Sequence, residues 1–237
     1  MRRTRVAAVV PAYNEGATLG DVLGVLSSIP SVNEVLVVSD GSTDETVAIA
    51  RRAGVKTLHL TQNQGKATAM ALGVAHTAAE LVIFVDADIL NLSAAMLEQL
   101  IAPVASGRSA MNIGARSRGA VLDWIYRRCG PKLSGIRCLR REVLEAIPEQ
   151  FLDGFCIETA LNWSCGRLGL PATTVFLHGL KHLVKEKKRG WLAGIGARIR
   201  MFAAVLGAFL RLRLTQPTLR RQTAPRTPRP ELEVIVY

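Results

Sequence analysis

The sequence predicts an α/β fold, a mostly parallel sheet flanked by helices. Three observations predict it. Short β-branched runs alternate with longer helical patterns through the first hundred residues, the mark of βαβ units. Polar residues cluster where those runs end, which is where open sheets of this kind hold ligands. The composition, 49% hydrophobic and only 5% aromatic over 237 residues, suits one packed aliphatic domain followed by a tail.

Residues 6 to 10 read as the first strand, and 17 to 28 as a helix with Leu19, Val22, Leu23 and Leu26 on one face. Residues 35 to 38 give a second strand. A second helix spans 44 to 53, with Ser42 or Thr43 as its N-cap and Gly54 as its stop. A third strand lies at 57 to 60, an alanine-rich helix at 65 to 77, and a strand at 81 to 85 that runs directly into Asp86. Beyond 130 the pattern loosens: a turn at Gly130 and Pro131, a strand at 135 to 139, a helix at 141 to 146, a helix at 155 to 168 and a last strand at 173 to 177. No motif speaks between 115 and 135, and no internal repeat is present.

The net charge of +11 is unevenly placed. Residues 1 to 180 hold 17 Lys and Arg against 16 Asp and Glu, while 181 to 237 hold 13 against 3. A near-neutral catalytic domain over 1 to 190 is therefore expected to carry an amphipathic helix at 191 to 214 and a flexible, basic, proline-containing tail at 215 to 237. Arg198 and Arg200 sit near the middle of the apolar stretch, which makes a bilayer span costly. Either that stretch lies on an anionic membrane surface, or it packs on protein. Nucleic-acid binding is disfavoured, because the basic residues lack interleaved aromatics. The amino terminus has no secretory pattern and the four cysteines, Cys129, Cys138, Cys156 and Cys165, form no C-x-x-C pair. These features predict a cytoplasmic protein with reduced thiols, peripheral on the inner face of the cell membrane if the apolar stretch meets lipid.

Asp86 and Asp88 flank one residue at the end of an apolar strand, and two adjacent carboxylates there call for a neutralising cation. Magnesium or manganese, bound by hard oxygens and by substrate phosphates, fits that demand. The competing reading makes Asp88 or Asn91 the cap of a helix starting near Ser93. The run Pro11, Ala12, Tyr13, Asn14, Glu15 ends the first strand without a glycine fingerprint, which disfavours a dinucleotide fold. Tyr13 can stack a base there, and Glu15 can accept from a ribose hydroxyl. Asp40 closes the second strand and can accept from a base imide or ribose, with Gly41 allowing close ligand approach. Lys66 follows Asn63, Gln64 and Gly65 at a helix amino terminus, an arrangement suited to a diphosphate.

Taken in order, the segments 11–15, 40–44, 63–66 and 86–88 resemble the family 2 glycosyltransferases of GT-A fold. The resemblance is strong over about 5 to 90 and looser over 130 to 190. It implies a metal-dependent transferase that uses a nucleotide-diphosphate sugar, such as a UDP- or GDP-sugar. On that pattern, 11–15 and 40–44 hold the nucleoside, Lys66 lies near base or diphosphate, and Asp86 and Asp88 reach ribose and metal. Leu133, Ser134, Gly135 and Arg137, then 154–158, then 177–182 are similar to the glucosylglycerate-type and polyprenyl-phosphate-type branches. In the former a late histidine completes the metal shell, a position matched by His182 first and His178 second.

The chain lacks an obvious Glu-Asp or Gln-x-x-Arg-Trp signature, so the stereochemical outcome stays open. An inverting enzyme needs a carboxylate at the acceptor hydroxyl, for which Asp153 and Glu158 are the candidates; a phosphate-bearing acceptor would need no strong base, and the apolar stretch with the basic tail is what points to a lipid-linked one. A silent nucleotide-sugar-binding regulator and a sugar-1-phosphate nucleotidyltransferase are the alternatives, the second lacking its glycine-rich loop. Base, sugar, acceptor and oligomeric state are not encoded in any motif.

Overall fold

The computed structural model describes residues 4–129, 133–152, 157–183, 207, 219 and 234–236. In chain order the first half contains β1 (Val6–Ala12), α1 (Gly16–Ser27), β2 (Glu34–Asp40), α2 (Thr46–Arg52), β3 (Lys56–Leu60), α3 (Lys66–Ala75) and β4 (Leu81–Phe84). Then come β5 (Ile89–Leu90), α4 (Ala94–Ala105), β6 (Met111–Arg116), α5 (Ala120–Cys129), β7 (Arg137–Arg140) and α6 (Arg141–Glu145). A 3-10 turn at Glu149–Phe151 leads to α7 (Ile157–Arg167), β8 (Ala172–Leu177), β9 (Lys181–His182) and β10 (Val234–Val236).

The strands form an eight-stranded sheet in the order β10-β3-β2-β1-β4-β7-β6-β8. β1 runs parallel to β2 and β4, β2 to β3, and β6 to β8, while β7 is antiparallel to both β4 and β6. All seven residues of β1 are buried. That is what an almost wholly apolar run must do at the centre of a sheet covered on both faces.

Side chains of β1 alternate between two cores. Ala7 and Val9 join the core beneath α3, α6 and α7, whereas Val6, Ala8 and Val10 join that beneath α1 and α4. Gly73 brings α3 down onto the sheet: a Cβ there would collide with Val9 and meet Val38 Cγ2 at 3.1 Å. At that point the helix lies close because position 73 has no side chain.

Three local expectations change. α2 starts at Thr46, and Asp44 rather than Ser42 or Thr43 accepts from the Thr46 N–H at 3.0 Å. α5 emerges from the stretch that carried no motif, and β6 from the residues just before it. Within the expected tail, Val234–Val236 is a strand antiparallel to β3, pairing Ile235 with His59, because β3 leaves a free sheet edge with Leu58 and Leu60 already buried beside it. The apolar stretch 191–214 lies outside the described residues except at Gly207, and most of the tail lies outside them too. Among the described residues no helix is long and apolar enough to cross a membrane.

Candidate active site

Because β1, β2 and β4 run parallel, their carboxyl ends meet at one edge of the sheet. A cleft of about 430 Å³ opens there, lined by Pro11, Ala12, Tyr13, Glu15, Asp40, Lys66, Asp86 and Asp88, together with Asn63, Gly65, Ala69 and Ala87. This volume lies in the range of small-molecule sites. Tyr13 is 47% exposed at the rim and offers a ring face to a planar group.

The first two motifs do more structural work than their chemistry alone suggests. Asn14 adopts a positive φ of 54°. Its N–H donates to Ser42 Oγ at 3.1 Å and its Oδ1 accepts from the Thr43 N–H at 2.8 Å. Asp44 accepts from the Gly16 N–H at 3.1 Å, and the Glu15 N–H donates to Thr46 Oγ1 at 3.0 Å. Thus Asn14, Ser42, Thr43 and Asp44 stitch the loop after β1 to the loop after β2.

Asp40 accepts from the Gln64 N–H at 2.7 Å through one oxygen and the Gly65 N–H at 2.9 Å through the other. Its expected ligand contact is therefore shared with an anchoring role for the loop before α3. Burial raises its carboxyl above the ordinary range, against the opposing pull of those two N–H groups. Gly41 does not line the cleft. Its φ is +71°, and a Cβ would stand 2.6 Å from Asn63 N, so the glycine serves the approach of the 62–63 backbone rather than that of a ligand.

Lys66, the first residue of α3, reaches Asp86 Oδ1 at 2.8 Å and Glu158 Oε1 at 3.0 Å. The ammonium sits between two carboxylates from separate halves of the fold. Burial works to lower the Lys66 pKa, but Asp86 and Glu158 outweigh it and raise it above the lysine range. For Glu158, burial pushes the carboxyl up, and Lys66 and Arg137 pull it below the usual range. A carboxylate so stabilised is a weak base, which turns Glu158 from proton acceptor toward holding Lys66 in place.

Beneath this pair lies Arg137, fully buried in β7. Its Nε and Nη2 donate to Ser134 O at 2.9 and 2.6 Å, and Nη1 donates to Glu158 O and Asn162 Oδ1 at 3.4 Å each. Burial lowers the guanidinium pKa, opposed by Glu158, Tyr126 and Asp86. The bracket fixes the backbone of 134–135, and Gly135 lies directly against the Asp86 carboxylate. Sequence reasoning named Lys66, Asp86, Glu158 and Arg137 separately and did not join them. The available signal was an arginine inside the run Ile136, Arg137, Cys138, Leu139, since arginine is almost never fully buried without partners.

The helix-cap alternative for Asp88 is removed by Ser93, whose Oγ accepts from the Met96 N–H at the start of α4. Asn91 instead donates to Gly179 O at 3.3 Å. Asp86 and Asp88 both face the cleft, and two carboxylate donors beside space for phosphates fit a Mg²⁺ or Mn²⁺ ion. Among the described residues no third metal-ligating side chain joins them. β9 runs alongside, with His182 paired to Ile89 and the Leu183 N–H donating to Asp88 O at 2.9 Å. The His182 backbone is thus one residue from Asp88, while its side chain lies outside the described residues. His178 is exposed, outside the cleft lining, and near Asp123 of α5, so the second-choice histidine is not brought to the carboxylates. Asp153 lies outside the described residues.

The family model for glycosyl transferase family 2 matches residues 7–157, a span that holds every cleft-lining residue. The chain belongs to glycosyltransferase family 2. This glycosyltransferase is 28% identical over 242 residues to the glucosyl-3-phosphoglycerate synthase of Mycolicibacterium paratuberculosis, covering 85% of this chain and 71% of the relative. It is 29% identical over 101 residues, 38% of this chain and 31% of the relative, to the undecaprenyl-phosphate 4-deoxy-4-formamido-L-arabinose transferase of Sodalis glossinidius. Among solved structures, the glucosyl-3-phosphoglycerate synthase of Mycobacterium tuberculosis in complex with Mn²⁺, UDP-glucose and phosphoglyceric acid aligns with a TM-score of 0.74 at 25% identity, covering 95% of this chain and 90% of that one. The GT-A architecture of this glycosyltransferase is thereby shown.

Proposed function

We propose that this glycosyltransferase moves a sugar from a UDP-sugar to a phosphate-bearing acceptor, using Mg²⁺ or Mn²⁺. The observation that carries the reading is the convergence of Tyr13, Lys66, Asp86 and Asp88 on one cleft at the carboxyl ends of parallel strands. The relatives add support, since the aligned mycobacterial enzyme holds Mn²⁺, UDP-glucose and phosphoglyceric acid. In this reading Pro11, Ala12 and Tyr13 cradle the base, Glu15 and Asp40 border the ribose, and Asp86 and Asp88, with His182, hold the metal.

The bond from the anomeric carbon to the donor's diphosphate oxygen breaks as an acceptor oxygen attacks that carbon. A divalent cation, when bound, supplies the charge that neutralises the departing diphosphate. Lys66 is held at the cleft wall by Asp86 and Glu158, so its charge is positioned before the donor arrives. Tyr13 covers one face of the base and keeps water from it. Asp153 remains the candidate for an acceptor hydroxyl proton, Glu158 being committed to Lys66; attack by a phosphate oxygen would need no base. The same reading sets the protein in the cytoplasm, with its basic carboxyl-terminal residues toward an anionic membrane surface, supported by their charge of 13 Lys and Arg against 3 Asp and Glu.

The test is thermal stability against UDP-, GDP-, CMP- and dTDP-sugars with and without Mn²⁺, followed by transfer from the stabilising donor to 3-phosphoglycerate and to a polyprenyl phosphate. A rise that needs both UDP-sugar and metal is expected. Equal stabilisation by every nucleotide, or none by any, would overturn the donor assignment.

A further inference from the structure

The helix α5 is amphipathic in the wrong sense for a soluble surface. Val121, Leu122, Trp124 and Ile125 are 73, 53, 64 and 46% exposed. At helical spacing Val121, Trp124 and Ile125 fall on the side away from Asp123 and Tyr126, the two half-buried residues that hold the helix to the domain, and Leu122, one turn before Tyr126, borders them. Tyr126 meets Phe176 of β8 edge-on at 6.0 Å, and Asp123 accepts from Ser117 Oγ at 2.7 Å and the Arg118 N–H at 2.8 Å. A helix normally buries its apolar stripe against its own core. This one presents apolar side chains outward, with Arg128 one turn on from Trp124 among them, and an exposed apolar surface of this kind marks an interaction site.

The charges around the patch select the occupant. Arg116, Arg118, Arg127 and Arg128 are all exposed, and Asp123, the one acid between 116 and 129, is engaged in the cap at the start of the helix. A second copy would set these arginines against their equivalents. The chain's own apolar stretch brings Arg198, Arg200, Arg211 and Arg213 and no acid. Anionic lipid headgroups meet the arginines while acyl chains take the aliphatic side chains, with Trp124 at the interface.

We infer that α5 is a docking surface for an anionic lipid bilayer, seating the cleft at the membrane. This deepens the membrane part of the proposed function and is independent of the donor chemistry. The placement follows from topology. β6 ends at the same sheet edge as β4, since both are antiparallel to β7. Tyr126 lies close to the backbone of Leu133, two residues before the Gly135 that abuts Asp86. A headgroup under α5 therefore lies on the Gly135 flank of Asp86, at the sheet edge where the cleft opens.

The test uses the full chain with Trp163→Phe and Trp191→Phe, leaving Trp124 as the sole indole, and vesicles of phosphatidylcholine with or without phosphatidylglycerol, each carrying brominated acyl chains. Blue-shifted, quenched Trp124 emission on the anionic vesicles alone is expected. Arg127→Gln with Arg128→Gln should weaken vesicle binding roughly thirtyfold. If the double Phe variant misfolds, sedimentation of Trp124→Ser with Ile125→Ser on the same vesicles replaces it, with loss of binding expected. Vesicle binding with Trp124 unquenched, or with the Ser variant unaffected, would assign docking to 191–214 and overturn the proposal. A buried Trp124 in concentration-dependent dimers without lipid would overturn it in favour of a second copy. The UDP-sugar and Mn²⁺ stability shift of the Ser variant should match the parent; its absence from both would count against the donor site and leave the docking result standing.

Discussion

Gly135 lies so close to Asp86 that a Cβ at position 135 would collide with all three carboxylate atoms of Asp86 unless that side chain moved. The backbone of 134–135 cannot retreat, because Arg137 grips Ser134 O with two N–H groups. The orientation of Asp86 is consequently set from the opposite side of the sheet to β1.

Gly135→Ala should push Asp86 away from Lys66 and out of the metal position. Overpacking of this kind costs about 1–3 kcal/mol in stability. The larger expected effect is loss of the metal-dependent part of nucleotide binding, read as UDP affinity with and without Mn²⁺ by calorimetry. Unchanged metal dependence would show that Asp86 is not a ligand.

Lys66→Met leaves Asp86 and Glu158 facing each other across the cleft wall. A fully buried pair broken in this way costs several kcal/mol, but the Lys66 side chain is 35% exposed, so solvent screening reduces the expected loss to about 1–2 kcal/mol. Donor affinity should fall as well, because the two carboxylates then repel the diphosphate. Adding Glu158→Gln to Lys66→Met should restore part of the stability in urea unfolding, through the coupling between the two sites.

Stability should fall on the acid side through Glu158. Burial pushes its carboxyl up from 4.5, and Lys66 and Arg137 more than reverse this, leaving it below that value. A depressed carboxyl adds stability above its unfolded pKa, and this is lost as pH falls through the folded value. Lys66, raised above 10.5, adds stability below that pH and loses it only at higher alkalinity, so the pair predicts a flat plateau between. Melting temperature against pH should show the acid limb, shallower in Glu158→Gln. An identical acid limb in the variant would remove Glu158 from the account.

Asp88→Asn should preserve the fold, since Ser93 rather than Asp88 caps α4. Transfer should drop by about a hundredfold or more, as expected on losing a group that places charge at the leaving diphosphate. Circular dichroism and steady-state transfer measure the two arms. Full activity would demote Asp88 to a loop residue.

The alternation of apolar runs and helical patterns made the first half of the fold legible from the order of residues alone. β1 through β4 fall within one or two residues of where their apolar runs predict. β6 was not legible. Its sequence Met111 to Arg116 carries Asn112 and Gly114 in the middle, residues that discourage a strand. Both make sense only in three dimensions: Asn112 donates to Gln99 O and Leu100 O and accepts from Thr173, while a Cβ at Gly114 would stand 2.9 Å from Leu177. Likewise β10 joins β3 across more than 170 residues of chain, a pairing for which no local pattern exists.

The sequence by itself determined the α/β class, the family, and the edge of the sheet where the chemistry lies, because periodicity and strand-end polarity are local properties. Tertiary structure alone decided what each polar residue does there. Asp44 and Gly41 serve neighbouring loops, Asp40 divides itself between a loop and the cleft, and Lys66, Asp86, Glu158 and Arg137 form one network drawn from three elements and the loop after β4. Charge neutralisation and steric exclusion act through space, and residues 66, 86, 137 and 158 become neighbours only when the sheet closes between them.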